Sequence, residues 1–535
     1  MRWLAVIVLV GGLLRLIWLD KYPAGFNADE AAFSYNAYSI LKTGQDEWGT
    51  VWWKLPIIGL KSFGDYKLPL YSFLAIPSIK IFGLNEFATR LPNAIVGTLA
   101  VLVIYFFVKQ IYLKGEVVGL VAAFLLAISP WHISLSRGAF EANLGTFFLP
   151  LGLLLFLRQK YFFAAVILAF NMYSYHSARL LTPLILVVFI LFFRPRHLTK
   201  FVITFLILAL PTLFSLVGVA SSRIRDVSIL SPTDNWQAVA ARRFTARNWG
   251  LPDTLARVFS NKLVYSTSVF GKNYLSYFSP QFLFTQGAGE PNYGMIPGRG
   301  VMYYPDLLFL LGFVVLIIKR SHKSYLLLLL LLLISPLPAA LAKGSGSTAY
   351  RAAVMIPFII AASTLGALYL FELLKPNKKI IILAFAFLIL NFAFFVEDYL
   401  YHAPQINGPA MNYGWKELMP RLKPFADRFP DVRFSRSLSE PQIFVAFYSQ
   451  MNPDAYQKFS NSWPDFQSQG YKFLDQYDGY FLDKYRFGDI YPKDPVTHPV
   501  LYVGKDSDFP PDFPEYFHID YPTGLPAIKV AEKLP

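Results

Sequence analysis

Asp29 and Glu30 stand side by side just beyond the first apolar segment, Trp3 to Leu19, in the run Tyr22-Pro23-Ala24-Gly25-Phe26-Asn27-Ala28-Asp29-Glu30-Ala31. A second polar cluster, Gly64-Asp65-Tyr66-Lys67-Leu68-Pro69-Leu70, follows in the same loop. Three more segments carry chemistry-bearing side chains between apolar runs. They are Ser129-Pro130-Trp131-His132 with Ser136-Arg137-Gly138-Ala139-Phe140-Glu141-Ala142-Asn143, then Tyr173-Ser174-Tyr175-His176-Ser177-Ala178-Arg179, then Lys343-Gly344-Ser345-Gly346-Ser347-Thr348-Ala349-Tyr350-Arg351. Carboxylates can take a proton or hold a divalent cation. Lysine and arginine can hold a phosphate and stabilise its charge as it leaves. Ionisable groups at membrane depth are costly and usually serve a pathway or a site.

The elements that must position these residues are membrane helices. Of 535 residues, 55% are hydrophobic and 16% charged, more apolar and less charged than a soluble domain. Apolar runs lie at 3–19, 87–108, 116–131, 140–157, 161–176, 178–193, 200–219, 305–318, 324–342, 350–374 and 379–397, several of them near the length a span needs. Cationic clusters fall in alternate gaps: Arg2; Lys109 and Lys114; Arg158 and Lys160; Arg194, Arg196 and Lys200; Lys319, Arg320 and Lys323; Lys375, Lys378 and Lys379. Placing them all in the cytoplasm gives eleven spans, a cytoplasmic N-terminus and an extracytoplasmic C-terminus. Leu68 to Gly83, with two prolines and Lys80, reads as an interfacial helix, because counting it as a span would invert every later loop. Trp3 to Leu19 has no small-residue cleavage site after it and reads as an uncleaved anchor.

In that topology the polar clusters share one face of a multi-pass protein of the cell membrane. The fold class is mainly α. Residues 1–400 form the membrane unit, with outer loops at 20–86 and 220–304, and residues 401–535 form a small soluble α/β domain outside. Within that tail, Gly414 to Arg428 and Pro441 to Gln450 read as helices, and Val432 to Ser435 and Val500 to Val503 as strands. The net charge of +15 sits largely in the short loops, so it is a topology signal and gives no case for nucleic acid. With no cysteine, disulfides and thiolate metal sites are excluded. A base, a phosphate clamp and a lipid surface together describe group transfer from a lipid-phosphate carrier to a hydroxyl or amine.

Asn27-Ala28-Asp29-Glu30-Ala31 after the first span, then Lys67-Leu68-Pro69-Leu70-Tyr71 and Arg90-Leu91-Pro92, resemble glycosyltransferase family 39. That family includes the dolichyl-phosphate-mannose protein mannosyltransferases and the bacterial lipid A aminoarabinose transferases, and has the GT-C membrane fold. Ser129-Pro130-Trp131-His132 through Glu141, and Tyr175-His176-Ser177-Ala178-Arg179, resemble its bacterial members, and the likeness spans roughly residues 1–400. It implies inverting transfer from a polyprenyl-phosphate sugar. It assigns Asp29 as the catalytic base, and Lys67 and Arg351 to the donor phosphate; Glu30 beside Asp29 is a second catalytic candidate. Arg179 and Arg137 are further candidates for that phosphate. Tyr175, His176 and Glu141 are candidates for the substrate pocket, and Asp65 for a divalent metal, the one cofactor implied. The implied partners are the donor, membrane lipids, and an acceptor that is a lipid, glycan or protein.

Each assignment has a plainer counterpart. Asn27 and Asp29 could cap an interfacial helix, and Lys67 could snorkel to headgroups. Arg137 and Glu141, four apart, could pair on a helix surface. His132 beside Trp131 reads as interfacial belt. Arg242, Arg243 and Arg247 read as a solvated helix face, with headgroup or acceptor contact as the minority reading. Two other functions fit the composition. A lipid-carrier transporter or flippase would carry charges along its spans, and a scaffold whose tail binds wall polymer would leave the first-loop acids without purpose.

Overall fold

The computed structural model describes residues 1–112, 115–195, 198–217, 228–320, 322–344, 346–471 and 473–535. Lys114, Arg196, Ser345, the end of the 200–219 run and residues 220–227 of the long loop lie outside the described residues.

Every apolar run carries a helix: Arg2–Leu16, Glu86–Tyr112, Gly115–Ile128, Glu141–Leu157, Tyr161–Met172, Ala178–Phe193, Thr199–Val217, Tyr304–Lys319, Lys323–Ile334, Met355–Leu374 and Lys378–Glu397. Helices are what an apolar solvent demands, since each backbone donor and acceptor must be satisfied within the segment. Four helices in the described residues are long and apolar enough to cross a membrane unaided, and five if one bent pair counts as a single span. The bent pair is Gly115–Ile128 and Pro130–Ser136, which meet at 59°. The bend falls at Ser129-Pro130 because proline disfavours helical geometry in the residue before it and has no amide to continue the ladder. The chain is a multi-pass membrane protein.

Two arginines fasten the first helix. Arg15 is fully buried and donates to the carbonyls of Gly11 (2.8 Å), Ala127 (3.1 Å) and Leu126 (3.1 Å), with His132 Nδ1 at 2.7 Å from its Nη2. His132, expected in an interfacial belt, is instead a buried structural partner held also by Thr146. Arg137 donates to the carbonyls of Leu14 (2.7 Å), Ile17 (2.7 Å), Trp18 (3.2 Å) and Tyr22 (3.3 Å), closing the end of the same helix.

The first loop is built to present its ends. Helix Ala28–Thr43 starts in a capping box: Asn27 Oδ1 accepts from the Asp29 amide (2.7 Å), and Glu30 Oε2 accepts from the Asn27 amide (3.0 Å). It stops at Gly44, whose φ of 72° closes the last turn without the penalty a side chain would meet. Strands β1 (Leu60–Ser62) and β2 (Asp65–Lys67) form an antiparallel hairpin about Phe63-Gly64, both at positive φ as a tight hairpin turn requires. Leu70–Phe82, the segment read as interfacial, is a helix that buries Tyr71, Ala75 and Ile79.

The tail follows its sequence pattern closely. Helices Trp415–Ala426, Pro441–Tyr448 and Pro453–Ser462 accompany a six-stranded sheet. Its strands are β3 (Asp431–Ser435), β4 (Tyr480–Leu482), β5 (Tyr485–Gly488), β6 (Val500–Gly504), β7 (Phe517–Asp520) and β8 (Pro526–Lys533), in the order β4-β5-β3-β6-β8-β7. β3 is parallel to both β5 and β6, and the other pairs are antiparallel. The tail does not hang free. It shares one hydrophobic core with the first loop, joining Phe26, Tyr35 and Tyr71 to Trp415, Phe444 and Tyr456. Phe26 donates its amide to Met411 (2.5 Å), Tyr35 its hydroxyl to Met451 (3.1 Å), and Gln457 its amide to the Asp46 carbonyl (2.9 Å). Gly25 has φ +87°, and a Cβ there would collide with the Met411 backbone.

Candidate active site

The two carboxylates of the acidic pair have separate fates. Glu30 is fully buried beside a fully buried Arg90, which holds it through Nε (2.9 Å) and Nη2 (3.1 Å). The remaining capacity of Glu30 goes to the amides of Ala139 (2.8 Å) and Asn27 (3.0 Å). Arg90 also donates to the carbonyls of Leu19, Pro23 and Gly25. The catalytic part expected of Glu30 therefore meets a carboxylate consumed in holding the first loop onto the bundle.

Asp29 faces elsewhere. It forms an ion pair with Lys67, the last residue of β2, and its Oδ2 lies 3.4 Å from the Tyr293 hydroxyl. Lys67 is only 6% exposed while Asp29 keeps 25% of its side chain open. The ammonium lies 4.9 Å from the Phe63 ring centre and 5.5 Å from that of Phe33, aromatic faces that favour a cation. So the lysine is set in place from below, and the carboxylate is the open member of the pair.

Tyr293 extends the site. Its ring stacks on Tyr350 at 4.0 Å and 6° between planes, and the Tyr350 hydroxyl donates to Glu141. Tyr175 packs against Tyr350 with ring centres 5.2 Å apart, and His176 Nε2 lies 3.2 Å from the carbonyl of Tyr66, the neighbour of Lys67. Asp29, Lys67, Glu141, Tyr175 and His176 thus come together from four separate parts of the chain. Arg351 follows Tyr350 directly and donates to the Lys343 carbonyl (2.9 Å). It also acts electrostatically on Glu290, which accepts from the Tyr350 amide at 3.0 Å. Burial pushes the Glu290 carboxyl up to about 7, opposed by that amide and by Arg351. Arg179 is buried at the head of helix Ala178–Phe193, close enough to act electrostatically on Tyr173.

Two expectations fall away from this cluster. Arg137, expected as a phosphate ligand or a partner of Glu141, spends its guanidinium on the carbonyls ending the first helix. Asp65, the expected metal ligand, accepts from the adjacent Tyr66 amide (2.8 Å) within the hairpin. Among the described residues, the side chains close enough to share a cation are Glu397, Asp398 and His402, and Asp65 is not one of them. There Arg299 already holds Asp398, and His402 lies 3.0 Å from Glu397. Among the described residues, the acids around Asp29 are not such a group.

Tyr293 and Glu290 were not singled out in the sequence. Their only signal was the turn-rich stretch Gly287-Ala288-Gly289-Glu290-Pro291-Asn292-Tyr293-Gly294 in a loop too long and too aromatic for a connector. A cleft of about 510 Å³ lined by Asp20, Tyr22, Glu86, Tyr401, Lys416 and neighbours borders the first loop, but none of Asp29, Lys67 and Arg351 lines it.

Residues 67–219 match the sequence model of a family described as dolichyl-phosphate-mannose-protein mannosyltransferase. No curated protein sequence matches the chain significantly. Among solved structures, ArnT from Cupriavidus metallidurans bound to undecaprenyl phosphate is 14% identical, with a TM-score of 0.55 over 99% of this chain and 98% of that one. The same protein in its apo state is 12% identical, with a TM-score of 0.51 over the same shares. The archaeal oligosaccharyltransferase AglB from Archaeoglobus fulgidus, in complex with an inhibitory peptide and a dolichol-phosphate, is 14% identical over 84% of this chain and 63% of that one, at a TM-score of 0.45. The chain has the fold of ArnT.

Proposed function

We propose that this GT-C protein transfers a sugar from a polyprenyl-phosphate carrier to an extracytoplasmic acceptor, with inversion at the anomeric carbon. The observation that carries the reading is the Asp29–Lys67 pair, an open carboxylate beside a sheltered ammonium. A donor phosphate arriving at this pair competes for Lys67. As the ammonium turns to the phosphate, Asp29 is released to accept the proton of the acceptor hydroxyl. The acceptor oxygen bonds to the anomeric carbon while the bond from that carbon to the phosphate oxygen breaks. The proton passes to Asp29, and the lipid phosphate leaves with the electron pair, its charge met by Lys67.

The Tyr293 hydroxyl holds Asp29 from its second oxygen, and the stacked Tyr293–Tyr350 pair is an apolar wall against which a sugar ring can rest. Arg351 and Arg179 are the further cations proposed for the phosphate. Eleven spans, with the tail and the site outside, complete the reading. The experiment is transfer by the purified chain in liposomes containing undecaprenyl- or dolichyl-phosphate sugars. Asp29→Asn keeps size but removes the proton acceptor, so transfer should fall by orders of magnitude while the protein still inserts and extracts normally. Near-normal turnover by Asp29→Asn would remove it from the mechanism.

A further inference from the structure

Residues 232–276 of the long loop form a helical lobe whose surface is inside out. Its helices are Pro232–Asn248, Asp253–Phe259 and Lys262–Ser276. In the middle one the fully buried residue is Ala256, while Leu255, Val258 and Phe259, at the i, i+3, i+4 spacing of a single face, are exposed. Trp249, in the turn before it, is 88% exposed, and Leu263, at the start of the next helix, is 76% exposed. A helix in water buries its large apolar residues and shows its small ones, so this face is made for a different medium.

The cations tell which medium. Arg242, Arg247, Arg257 and Lys262 are exposed on the same lobe, and the only acids between residues 228 and 276 are Asp234 and Asp253. Asp253 is taken by Arg257 (2.8 Å) and Arg247 (3.4 Å), so the lobe keeps a surplus of positive charge. Large apolar side chains among arginines and lysines are the signature of a helix lying in a lipid headgroup layer, with side chains dipping into the acyl boundary and cations meeting phosphates.

The lobe is also fixed at the right height. Tyr274 donates to the Leu333 carbonyl (2.9 Å) and Asn273 to that of Ala340 (3.3 Å), in the last turns of the membrane segment Lys323–Ala340. Tyr277 donates to Gly346 (2.9 Å), four residues before the site residue Tyr350. The lobe therefore hangs at the same end of the bundle as Asp29.

We infer that residues 236–264 dock onto an anionic lipid surface, with Trp249, Leu255, Val258, Phe259 and Leu263 entering the leaflet and the exposed cations holding its phosphates. The inference is about lipid contact and does not depend on which group is transferred. The chain has no cysteine, so single nitroxide labels report without interference. Phe259→Cys and Leu263→Cys would be labelled in the full chain in nanodiscs of phosphatidylcholine, alone or with an equal part of phosphatidylglycerol. Lys493→Cys, exposed on the tail, is the aqueous control. In the anionic discs both lobe labels should collide more with oxygen than with a water-soluble nickel complex, and high salt should weaken that preference. Each cation removed from the set Arg242→Gln, Arg247→Gln, Arg257→Gln and Lys262→Gln should lower the preference for phosphatidylglycerol about fivefold. Nickel access equal to that of Lys493→Cys in both lipids would put the lobe in water and overturn the docking. Immersion that ignores lipid charge and salt would overturn the anionic partner, and shielding from both reagents would mean a protein covers the face instead.

Discussion

The Glu30–Arg90 pair gives the most direct test of how the acidic pair divides its labour. Arg90 makes five donations: two to Glu30 and one each to the carbonyls of Leu19, Pro23 and Gly25. Both side chains are fully buried. Arg90→Met removes the cation and leaves Glu30 as a buried charge with only the amides of Asn27 and Ala139. Breaking a buried pair from one side costs about 3–5 kcal/mol. Glu30→Gln from the other side leaves a guanidinium with carbonyls but no counter-charge. The double variant carries neither charge and keeps a side-chain oxygen for one of the two amides, which reach different oxygens of Glu30. It should therefore cost less than the sum of the single variants by about 2 kcal/mol, a coupling in the range for residues in direct contact. The assay is thermal unfolding of the purified chain, with transfer measured well below every transition. The reasoning is refuted if the single effects add, or if Glu30→Gln melts with the parent while transfer collapses. The second result would return Glu30 to the reaction itself.

Three further outcomes follow from the same geometry. Tyr293→Phe removes the hydroxyl from Asp29 but keeps the stack on Tyr350. Turnover should fall about five- to tenfold, the worth of one hydrogen bond, with donor KM little changed, and an unaltered turnover would make Tyr293 only a wall. Lys67→Ala should weaken binding of a polyprenyl-phosphate sugar about tenfold or more, from roughly 1.5–3 kcal/mol for a charge-assisted contact. It should leave binding of the neutral polyprenol alone, and equal losses for both ligands would assign Lys67 to the fold. Glu47 sits under the tail, where burial pushes its carboxyl up to about 8 against the Ser62 hydroxyl that donates to it, with Asp46 beside it pushed up to about 6. Lys67, Tyr35, Tyr456 and Glu440 also face Glu47. A folded state that keeps a proton the unfolded chain has lost becomes less stable as pH rises from the unfolded carboxyl value to about 8. Glu47→Gln should flatten that fall and melt above the parent at pH near 8, and parallel pH profiles would show that Glu47 does not drive it.

Local pattern made much of this legible. Asp431–Ser435 and Val500–Gly504 are short runs of alternating or continuous apolar residues, and the structure extends the expected strands by one residue each. Pro441 begins its helix at the first turn, where a missing amide costs nothing, so its start could be read from sequence. Asp29 and Lys67, both expected on the first loop, meet because a capped helix and a hairpin bring their own ends into place. What could not be read was direction. Arg137 sits at Ser136-Arg137-Gly138, where the short helix ends and the side chain turns back to the carbonyls of the first helix rather than forward to Glu141. No spacing rule contains that choice, because its partners lie more than a hundred residues away. Tyr293 was hidden for the same reason: its value comes from stacking on Tyr350 and reaching Asp29, both distant in the chain.

The acidic pair shows how one dipeptide can serve two ends. Successive residues on a helix point about 100° apart, so two adjacent acids in the first turn cannot face the same neighbour. The Asn27 cap fixes where that turn begins, and the Arg90 side chain takes the residue that points inward. Asp29 is then left on the face toward β2 and Tyr293. The anchor works on the chain before the helix as well, since Arg90 binds the carbonyls of Leu19, Pro23 and Gly25. The tail presses on that strip from the other side, through the Phe26–Met411 bond and the close approach at Gly25 that only glycine allows. The position of Asp29 is thus set by a buried charge on one side and a soluble domain on the other. A change that loosens the tail, such as a side chain at Gly25, should disturb Asp29 as surely as a change at Arg90, although neither residue is part of the Asp29–Lys67–Tyr293 cluster.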